Sequence, residues 1–513
     1  MIAKCVEGLI DAKWTKLACD WKSEGDDMRD NSYYTQSLIL LVFLVLVMAV
    51  CRFSNGYALI ALVMMGMGWA LLGKVFLPLF IYAFLMVCVV TSQVLLPKED
   101  AIWSFGLRGG VLGISCAMIV GASRRTGGYK LPLGTIAPFL LSAVFSLYDS
   151  WVPQISALKL IQFSLFLLGI WKCSQNMHRV PVELMKARAL FFAIAMFFVI
   201  GSAASYPFPS VSYALNLRYA IKDVGVKLAV ENFLENSAYI VTLFCGVTNQ
   251  SQALAPILAI VFSWVACDML FVEKRFRWLH VLLLILTPPM IYMTRSRVGL
   301  VTLLTAIITI YFYTAKKIVV SDRTRKYLIH GMFIFISAAI IGGTIMELKD
   351  NTISRWLRKT EDVKGDTRSL TEAMTTSRQG LVEMCWEEFK RNPFVGSGFQ
   401  VAWYSKDRYE DAGGGLVLSS SIEKGVLPLM VLGETGVVGF SAFVFFLITF
   451  FVGCSRRRYY VTITMFVVLL VSNLGEATFF SPGGLGGIEW AFCAVGGFVI
   501  DTMIAAGLNA RRQ

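Results

Sequence analysis

Charged side chains are scarce in this sequence. Only 16% of its 513 residues are Asp, Glu, Lys or Arg, against roughly 25% in a typical soluble domain. Hydrophobic residues make up 56% of the chain, and apolar runs of about 20 residues recur from Gln36 to Leu508. This pattern excludes a soluble enzyme, and it excludes a membrane β-barrel, whose strands alternate and are shorter. The sequence therefore predicts a polytopic α-helical membrane protein.

Histidine is also rare, and cysteine is poorly placed for cross-linking. The three histidines are His178, His280 and His330, and each falls in a loop or at a helix start that we assign to the cytoplasmic side. We interpret them as structural or solvated residues. Most of the 11 cysteines lie inside apolar runs, where a thiol behaves as a small hydrophobic group. No disulfide framework is predicted.

The lengths of the apolar runs predict an all-α fold with about fourteen transmembrane helices. The predicted spans are Gln36–Cys51, Tyr57–Gly73, Val75–Leu96, Gly109–Ala122, Leu133–Leu147, Ile155–Trp171, Ala187–Ala204, Ala253–Val272, Trp278–Met293, Val298–Thr314, Tyr327–Met346, Gly425–Val452, Tyr459–Phe479 and Gly486–Leu508.

The spans divide the chain into four regions. Residues 1–35 form a cytoplasmic N-terminal segment, and residues 36–346 form a bundle of the first eleven helices. Residues 347–424 form one large external loop, and residues 425–513 hold the last three helices and a cytoplasmic tail. A loop of this length with its own helical pattern is usually functional.

The formal net charge of +13 is compatible with nucleic-acid binding, but the positions of the basic residues favour another explanation. Most of them fall in alternate loops, as the positive-inside rule requires of cytoplasmic loops. Both termini are then cytoplasmic, and the protein is predicted to lie in a bacterial inner membrane. The same topology makes residues 206–252 external, with a short interfacial helix over Ser237–Cys245.

Two arginines break the positive-inside pattern. Arg295 and Arg297 lie in a short external turn between two spans, where a guanidinium group is costly unless it snorkels or binds an anion. Snorkelling to lipid phosphates is one interpretation. The other is a phosphate-ester clamp, because the planar guanidinium binds phosphate oxygens in pairs.

A third arginine, Arg378, lies in the large loop. Met374–Lys390 reads as an amphipathic helix that ends before Asn392-Pro393, since proline disfavours continuation of a helix. On one interpretation this is a surface helix packed over the bundle, with Arg378 in solvent. On the other, Arg378 belongs to the same anion site as Arg297.

The order of these elements is more informative than any one of them. Ser296-Arg297 opens a span, Ser377-Arg378 follows in the loop, and Asn392-Pro393 begins an Asn-Pro-x-x-Gly-x-Gly turn. Gly433-Glu434-Thr435-Gly436 then lies in the next span. From roughly Gly246 to Phe440, this series resembles the O-antigen polymerase and O-antigen ligase (Wzy/WaaL-like) superfamily of membrane glycosyltransferases.

The resemblance implies a GT-C-like multi-span bundle capped by one periplasmic loop. It implies transfer of a glycan from undecaprenyl diphosphate to an acceptor sugar, with Arg297 and Arg378 holding the donor diphosphate. No cofactor is implied. The external loops contain no Asp-x-Asp metal motif, so metal-independent transfer is the simpler expectation.

The sequence departs from the family at one position. Members usually carry a histidine before the span that here begins at Gly425, whereas this chain has Glu423 and Lys424. We predict Glu423 as the general base; an ordinary interfacial Glu423–Lys424 pair is the alternative. The candidate substrate-binding residues share an external or near-external position and a charge; they are Arg295, Arg218, Lys424, Asp149 and Glu434.

The predicted function is that of a polysaccharide polymerase, which joins undecaprenyl-diphosphate-linked repeats at the periplasmic face with inversion. An O-antigen ligase acting on lipid A-core remains open, as does a transporter of lipid-linked oligosaccharide. Membrane lipids and the lipid-linked oligosaccharide are the predicted partners. A chain-length regulator is a further candidate partner, and no nucleic acid is predicted.

Overall fold

The computed structural model describes most of the bundle and part of the large loop. The described residues are 26–54, 56–92, 95–96, 101–123, 131–177, 181–208, 211, 213–215, 242–273, 277–315, 331, 370–401, 426–475 and 477–510. The predicted span Tyr327–Met346 lies almost entirely outside them.

Helices dominate the described residues. In chain order they are α1 Asp26–Phe53, α2 Tyr57–Leu71, α3 Phe76–Val90, α4 Ala101–Ser123, α5 Ala137–Phe145, α6 Pro153–Met177, α7 Pro181–Ser205, α8 Ser251–Cys267, α9 Trp278–Met293, α10 Arg297–Ala315, α11 Leu370–Arg391, α12 Leu427–Arg456, α13 Tyr460–Ser472, α14 Leu485–Ala491 and α15 Phe498–Ala510. A 3₁₀ turn, Pro132–Ile136, precedes α5, and π-helical turns follow α8 and α14 at Asp268–Glu273 and Phe492–Gly497.

The helices confirm the predicted fold class, an all-α polytopic membrane protein. Among the described residues, seven helices are long and apolar enough to cross a membrane, and six shorter apolar helices accompany them. Each coincides with a predicted span. Several boundaries differ, and the largest shifts are in three helices: α1 begins at Asp26 instead of Gln36, α4 begins at Ala101 instead of Gly109, and α13 ends at Ser472 instead of Phe479.

The burial of the helices separates a centre from a periphery. In α8 with its π-helical turn, 89% of an apolar 18-residue stretch is buried inside the protein, whereas 28% of the corresponding stretch is buried in α1 and in α12. Trp264 of α8 packs against Phe191 of α7 and Phe492. The exposed apolar side chains of α1 are then suited to face lipid, because a membrane solvates them as a protein core would.

A short antiparallel sheet stands where a helix was expected. Strand β1, Tyr213–Leu215, pairs with β2, Thr242–Phe244, so the predicted helix over Ser237–Cys245 is wrong for its last residues. Threonine and aromatic residues favour strands. The segment after β2 is also tied to α3, because Ser92 N–H donates to the Val247 carbonyl at 2.8 Å.

The loop helix confirms its sequence prediction. Helix α11 spans Leu370–Arg391, so it contains the predicted segment Met374–Lys390 and ends directly before Asn392-Pro393. It packs on α12. The rest of the predicted large loop, apart from residues 392–401, lies outside the described residues.

A buried polar cluster ties four helices together at the end where α7 and α9 begin. Arg188 of α7 donates to Asp268 through Nε (2.7 Å) and Nη2 (3.0 Å). His280 of α9 lies 3.0 Å from the same carboxylate through Nε2 and 2.9 Å from Tyr34 Oη of α1 through Nδ1. His280 is therefore structural, as the sequence predicts.

Candidate functional site

The candidate site lies at the opposite end of the bundle, which we call the loop end and define by residues 294–296, 392–401, 473–475 and 477–484. Here the N–H of Leu427, the first residue of α12, donates to the Asn473 carbonyl at 3.1 Å. Gly475 lies directly against Val298 of α10, so closely that a Cβ on Gly475 would overlap the Val298 side chain. The starts of α10 and α12 are therefore held together through residues 473–475.

Residues 294–297, which we call the arginine turn, are held in place by the hydroxyl groups of Thr294 and Ser296. Arg295 adopts a left-handed backbone with φ of 51°. The Ser296 N–H donates to Thr294 Oγ1 at 3.2 Å, and Ser296 Oγ accepts the N–H of Gly299 at 3.2 Å, as an N-cap serine does. Arg297 is then the first residue of α10, where the helix end carries partial positive charge. The guanidinium and the helix end together favour an anion at this position.

Helix α12 is broken at Gly436, within the Gly-Glu-Thr-Gly element. Gly436 has φ of 63° and ψ of −169°, a region that is essentially restricted to glycine. A break inside a membrane leaves backbone groups without helical partners, and such groups must be satisfied by other parts of the protein. The break is therefore a feature that the surrounding structure has to maintain.

The Asn-Pro-x-x-Gly-x-Gly turn supplies those partners. The N–H groups of Val437 and Val438 donate to the carbonyls of Pro393 (2.8 Å) and Phe394 (3.3 Å). In return, the N–H groups of Ser397 and Gly398 donate to the carbonyls of Gly433 (3.0 Å) and Glu434 (3.1 Å). Residues 392–398, which we call the loop turn, thus supply hydrogen-bond partners for the backbone groups that the break in α12 leaves without helical partners.

Two glycines make this contact possible. A Cβ on Gly396, where φ is 79°, would overlap the backbone of Glu434 and Thr435. A Cβ on Gly436 would overlap the backbone of Phe394 and Val395. The two motifs that carried the family resemblance are therefore one interlocked unit in three dimensions.

Two carboxyl groups are buried beside the break. Glu434, a predicted substrate-binding residue, is 1% exposed, and Glu388 of α11 is 2% exposed. A Cβ on Gly433 would lie 3.5 Å from Glu388 Oε2 and 3.0 Å from the Cys385 carbonyl oxygen. Glu388 was not predicted as a site residue, although its spacing from Cys385 places it on the buried face of α11.

The other side of the turn docks on the corner between α5 and α6. Gly398 packs against Ser150 so closely that a Cβ would overlap it, and the Arg391 guanidinium lies 5.7 Å from the centre of the Trp151 ring. Asp149, a predicted substrate-binding residue, is exposed at this corner. The structure therefore brings Asp149 close to the loop turn, since its neighbour Ser150 lies against Gly398.

Below this corner, α6 holds the residues that follow the loop turn. Ser156 Oγ donates to the Phe399 carbonyl at 2.9 Å, and the buried Lys159 ammonium donates to the Gln400 carbonyl at 3.0 Å. Lys159 was not predicted as a site residue. Its signal was available, since a lysine inside the predicted span Ile155–Trp171 is an intramembrane cation, and such groups are functional candidates.

A third buried carboxylate, that of Glu489, lies beside the residues that connect α12 to α10. Glu489 of α14 accepts from Ser472 Oγ at 2.7 Å and lies 3.4 Å from Asn473 Nδ2. Because the Asn473 carbonyl binds Leu427, Glu489 fixes the residue that joins α12 to α10. It too was missed, although it lies within a predicted span.

The structure describes only some of the remaining predicted residues. Glu423, Lys424 and Arg218 lie outside the described residues. Position 378 lies in α11, seven residues before Cys385; this spacing returns a helix to the same face about 10 Å along its axis. Among the described residues, no group of three or more His, Cys, Asp or Glu side chains is arranged to hold a metal ion, and metal independence stays a prediction.

Comparison with known proteins finds a family model that matches the part of the chain holding the arginine turn and the loop turn. The family model Wzy_C, described as O-antigen ligase, matches residues 282–444, which contain the arginine turn, α11, the loop turn and the broken helix. No match was found among the curated proteins or the solved structures. The match confirms the predicted resemblance and indicates O-antigen ligase or polymerase-like activity. Residues 282–444 are thus similar to an O-antigen ligase domain, and through this region the chain is similar to the O-antigen polymerase and ligase (Wzy/WaaL-like) superfamily.

Proposed function

We propose that the chain is a surface-polysaccharide polymerase of the bacterial inner membrane, with both termini cytoplasmic and its active site periplasmic. It joins undecaprenyl-diphosphate-linked repeats without a metal ion and with inversion at the anomeric carbon. One observation carries the proposal: the loop turn completes the broken helix α12, while residues 473–475 connect the start of α12 to the helix that Arg297 opens. The loop turn, the Gly-Glu-Thr-Gly element and Arg297 therefore lie at the same end of the bundle.

In this proposal Arg297 and Arg378 bind the donor diphosphate, with Arg295 and Arg218 adding positive charge. As the glycosidic bond breaks, its electron pair moves onto the diphosphate oxygen. Fixed cations stabilise that developing charge, and a preorganised low-dielectric site makes the effect large. The N-terminus of α10 adds partial positive charge beside Arg297. Undecaprenyl diphosphate is the leaving group.

The acceptor sugar is activated by proton removal. Glu423 accepts the proton of the acceptor hydroxyl as its oxygen attacks the anomeric carbon, and Lys424 contacts the substrate beside it. Asp149 and Glu434 bind sugar hydroxyls on either side of the loop turn. Partial burial would raise the pKa of a carboxyl group towards the working range of a general base.

Replacement of Glu423 by glutamine is expected to reduce polymer formation about 100-fold, because the amide cannot accept the proton. The measurement is the polymer made by a deletion strain that expresses the variant at the wild-type membrane level. Asp149→Asn is a comparison at an exposed carboxylate, with a smaller expected loss. Full polymer output from the Glu423→Gln strain would remove Glu423 from the role.

A ligase is the second candidate, because the matching family is described as O-antigen ligase. The two activities share the donor and differ in the acceptor, which is a second lipid-linked repeat for the polymerase and lipid A-core for the ligase. The absence of the family's histidine near residue 423 favours the polymerase.

Deletion of the gene distinguishes these functions. The polymerase predicts that single repeats remain and long polymer is lost. Complete polymer retained on the undecaprenyl carrier would instead identify a ligase. Repeats that accumulate on the cytoplasmic side would identify a transporter, and an unchanged surface glycan would reject the proposal altogether. The readout is the length distribution of lipid-linked and surface glycan, separated by gel electrophoresis and mass spectrometry.

A further inference from the structure

Gln400, just after the loop turn, has an unusual backbone conformation. Its φ is 56°, and among the described residues only Arg295 and Arg458 are other non-glycine residues with positive φ. L-residues avoid this region because Cβ approaches the neighbouring carbonyl oxygen, and glutamine lacks the short side chain with which asparagine or aspartate compensates. Such strain persists only where the surrounding structure imposes it, and it is concentrated at ligand-binding and active sites.

The side chain of Gln400 is also unusual. Gln400 is 5% exposed, and its Nε2 is buried with no hydrogen-bond partner among the residues that the structure describes. Buried amide groups are almost always hydrogen-bonded, and each exception calls for an explanation. Strain and an unsatisfied amide group thus occur at the same residue.

The neighbouring residues show how this conformation is held. Lys159 Nζ donates to the Gln400 carbonyl at 3.0 Å, and Ser156 Oγ donates to the preceding carbonyl, that of Phe399, at 2.9 Å. The Phe399 ring packs against Phe163 and Phe480. Two hydrogen bonds and a packed ring therefore fix the backbone on both sides of the Gln400 side chain.

A second unsatisfied polar group lies at the same corner. Ser150 Oγ is buried with no hydrogen-bond partner among the described residues, and it lies against Gly398, two residues before Gln400. An amide and a hydroxyl are neutral hydrogen-bonding groups. They match the hydroxyl and acetamido groups of a saccharide, whereas a diphosphate is better matched by guanidinium groups.

We propose that Gln400 is a specificity-determining residue that binds the glycan, with its Nε2 donating a hydrogen bond to a hydroxyl or acetamido oxygen of a sugar. This inference rests on the proposed glycan transfer and names the part of the substrate that the corner between α5 and α6 recognises. The conformation imposed by Lys159 and Ser156 holds the amide ready before substrate binds, and this limits the ordering that binding would otherwise require.

Two substitutions test the inference. Gln400→Met keeps the side-chain volume and removes the unsatisfied amide, so the protein is expected to melt at or above the wild-type temperature. Glycan output is expected to fall at least about tenfold, because a sugar group then has no donor. Gln400→Gly removes the backbone strain and the amide together, and the same fall in glycan is expected. Arg458→Gly, which relieves positive φ at an exposed position of the other end, is the matched control with wild-type output.

The measurements are the melting temperature of the purified full-length protein and the glycan made in the deletion strain at matched protein levels. Wild-type output from Gln400→Met, or a fall in output that accompanies a lower melting temperature in both variants, would overturn the inference. In membranes where donor and acceptor are varied separately, a raised KM for one of them assigns the sugar to that substrate. Unchanged KM values for both would also overturn it.

Failure of this inference is distinguishable from failure of the proposed function. If the surface glycan does not depend on the gene, the proposed function and the role of Gln400 are both rejected. If the glycan depends on the gene and on Arg297 but not on Gln400, only the role of Gln400 falls.

Discussion

Replacement of Arg297 by alanine is expected to reduce glycan transfer at least ~100-fold while the protein still inserts into the membrane. The loss of one preorganised group that stabilises developing charge has about this magnitude in hydrolases. Arg297 opens α10, so the variant removes the guanidinium and leaves the partial charge of the helix end. Insertion is expected to survive, because Arg297 lies at the end of the span and not in its interior.

The measurement is polymer formation by the deletion strain, with the variant quantified in the membrane fraction. Arg297→Lys is expected to retain more activity than alanine, because a lysine supplies charge without the paired geometry of the guanidinium. Arg378→Ala is expected to match Arg297→Ala. Arg456→Ala, an exposed arginine at the other end of the bundle, is the control with full activity. Wild-type glycan from both Arg297→Ala and Arg378→Ala would end the diphosphate-clamp hypothesis.

Replacement of Gly436 by alanine is expected to abolish polymer formation and to lower the melting temperature. Alanine is strained at φ of 63° and ψ of −169°, a cost of about 1–3 kcal/mol. Its Cβ would also overlap the backbone of Phe394 and Val395. The loop turn must then move away from the break, and the donors and acceptors of both segments lose their partners.

Gly68→Ala is the matched control. A Cβ there meets nothing within 4 Å, and alanine favours a helix more than glycine does, so activity and melting temperature are expected to be unchanged or slightly raised. Gly396→Ala disturbs the same contact from the loop side. Because both substitutions break one contact, the double variant is expected to lose little more than either single variant. Additive losses, or an active Gly436→Ala protein, would contradict the interlocked-turn description.

The sequence predicted the membrane-spanning helices well, because a span is determined locally by length and hydropathy. Helix α11 could also be predicted from the sequence, since its apolar periodicity and the following Asn392-Pro393 are both local signals. The break at Gly436 was not predicted. The apolar run continues through it from Leu427 to Arg456, and the groups that stabilise the break come from residues 393–398.

The candidate site was predicted in part for the same reason. Arg297 and Arg378 were accessible because they are charged residues in unusual positions, and Glu434 because it lies within a span. Lys159 and Glu489 also lie within predicted spans, but the partners that give them a role are far away in the chain. Gln400 gave no local signal, because only its backbone conformation and burial single it out.

The sequence alone determined that this protein crosses a membrane repeatedly, which superfamily its residues 282–444 resemble and which arginines are candidates for the diphosphate. These properties depend on hydropathy, motif order and charge, all of which can be read along the chain. The tertiary structure alone decided that the two glycine motifs interlock, that α10 and α12 meet through Asn473 and Gly475, and that Gln400 is held in a strained and buried conformation. Each of these depends on contacts between residues far apart in sequence, and such contacts exist only once the helices have packed.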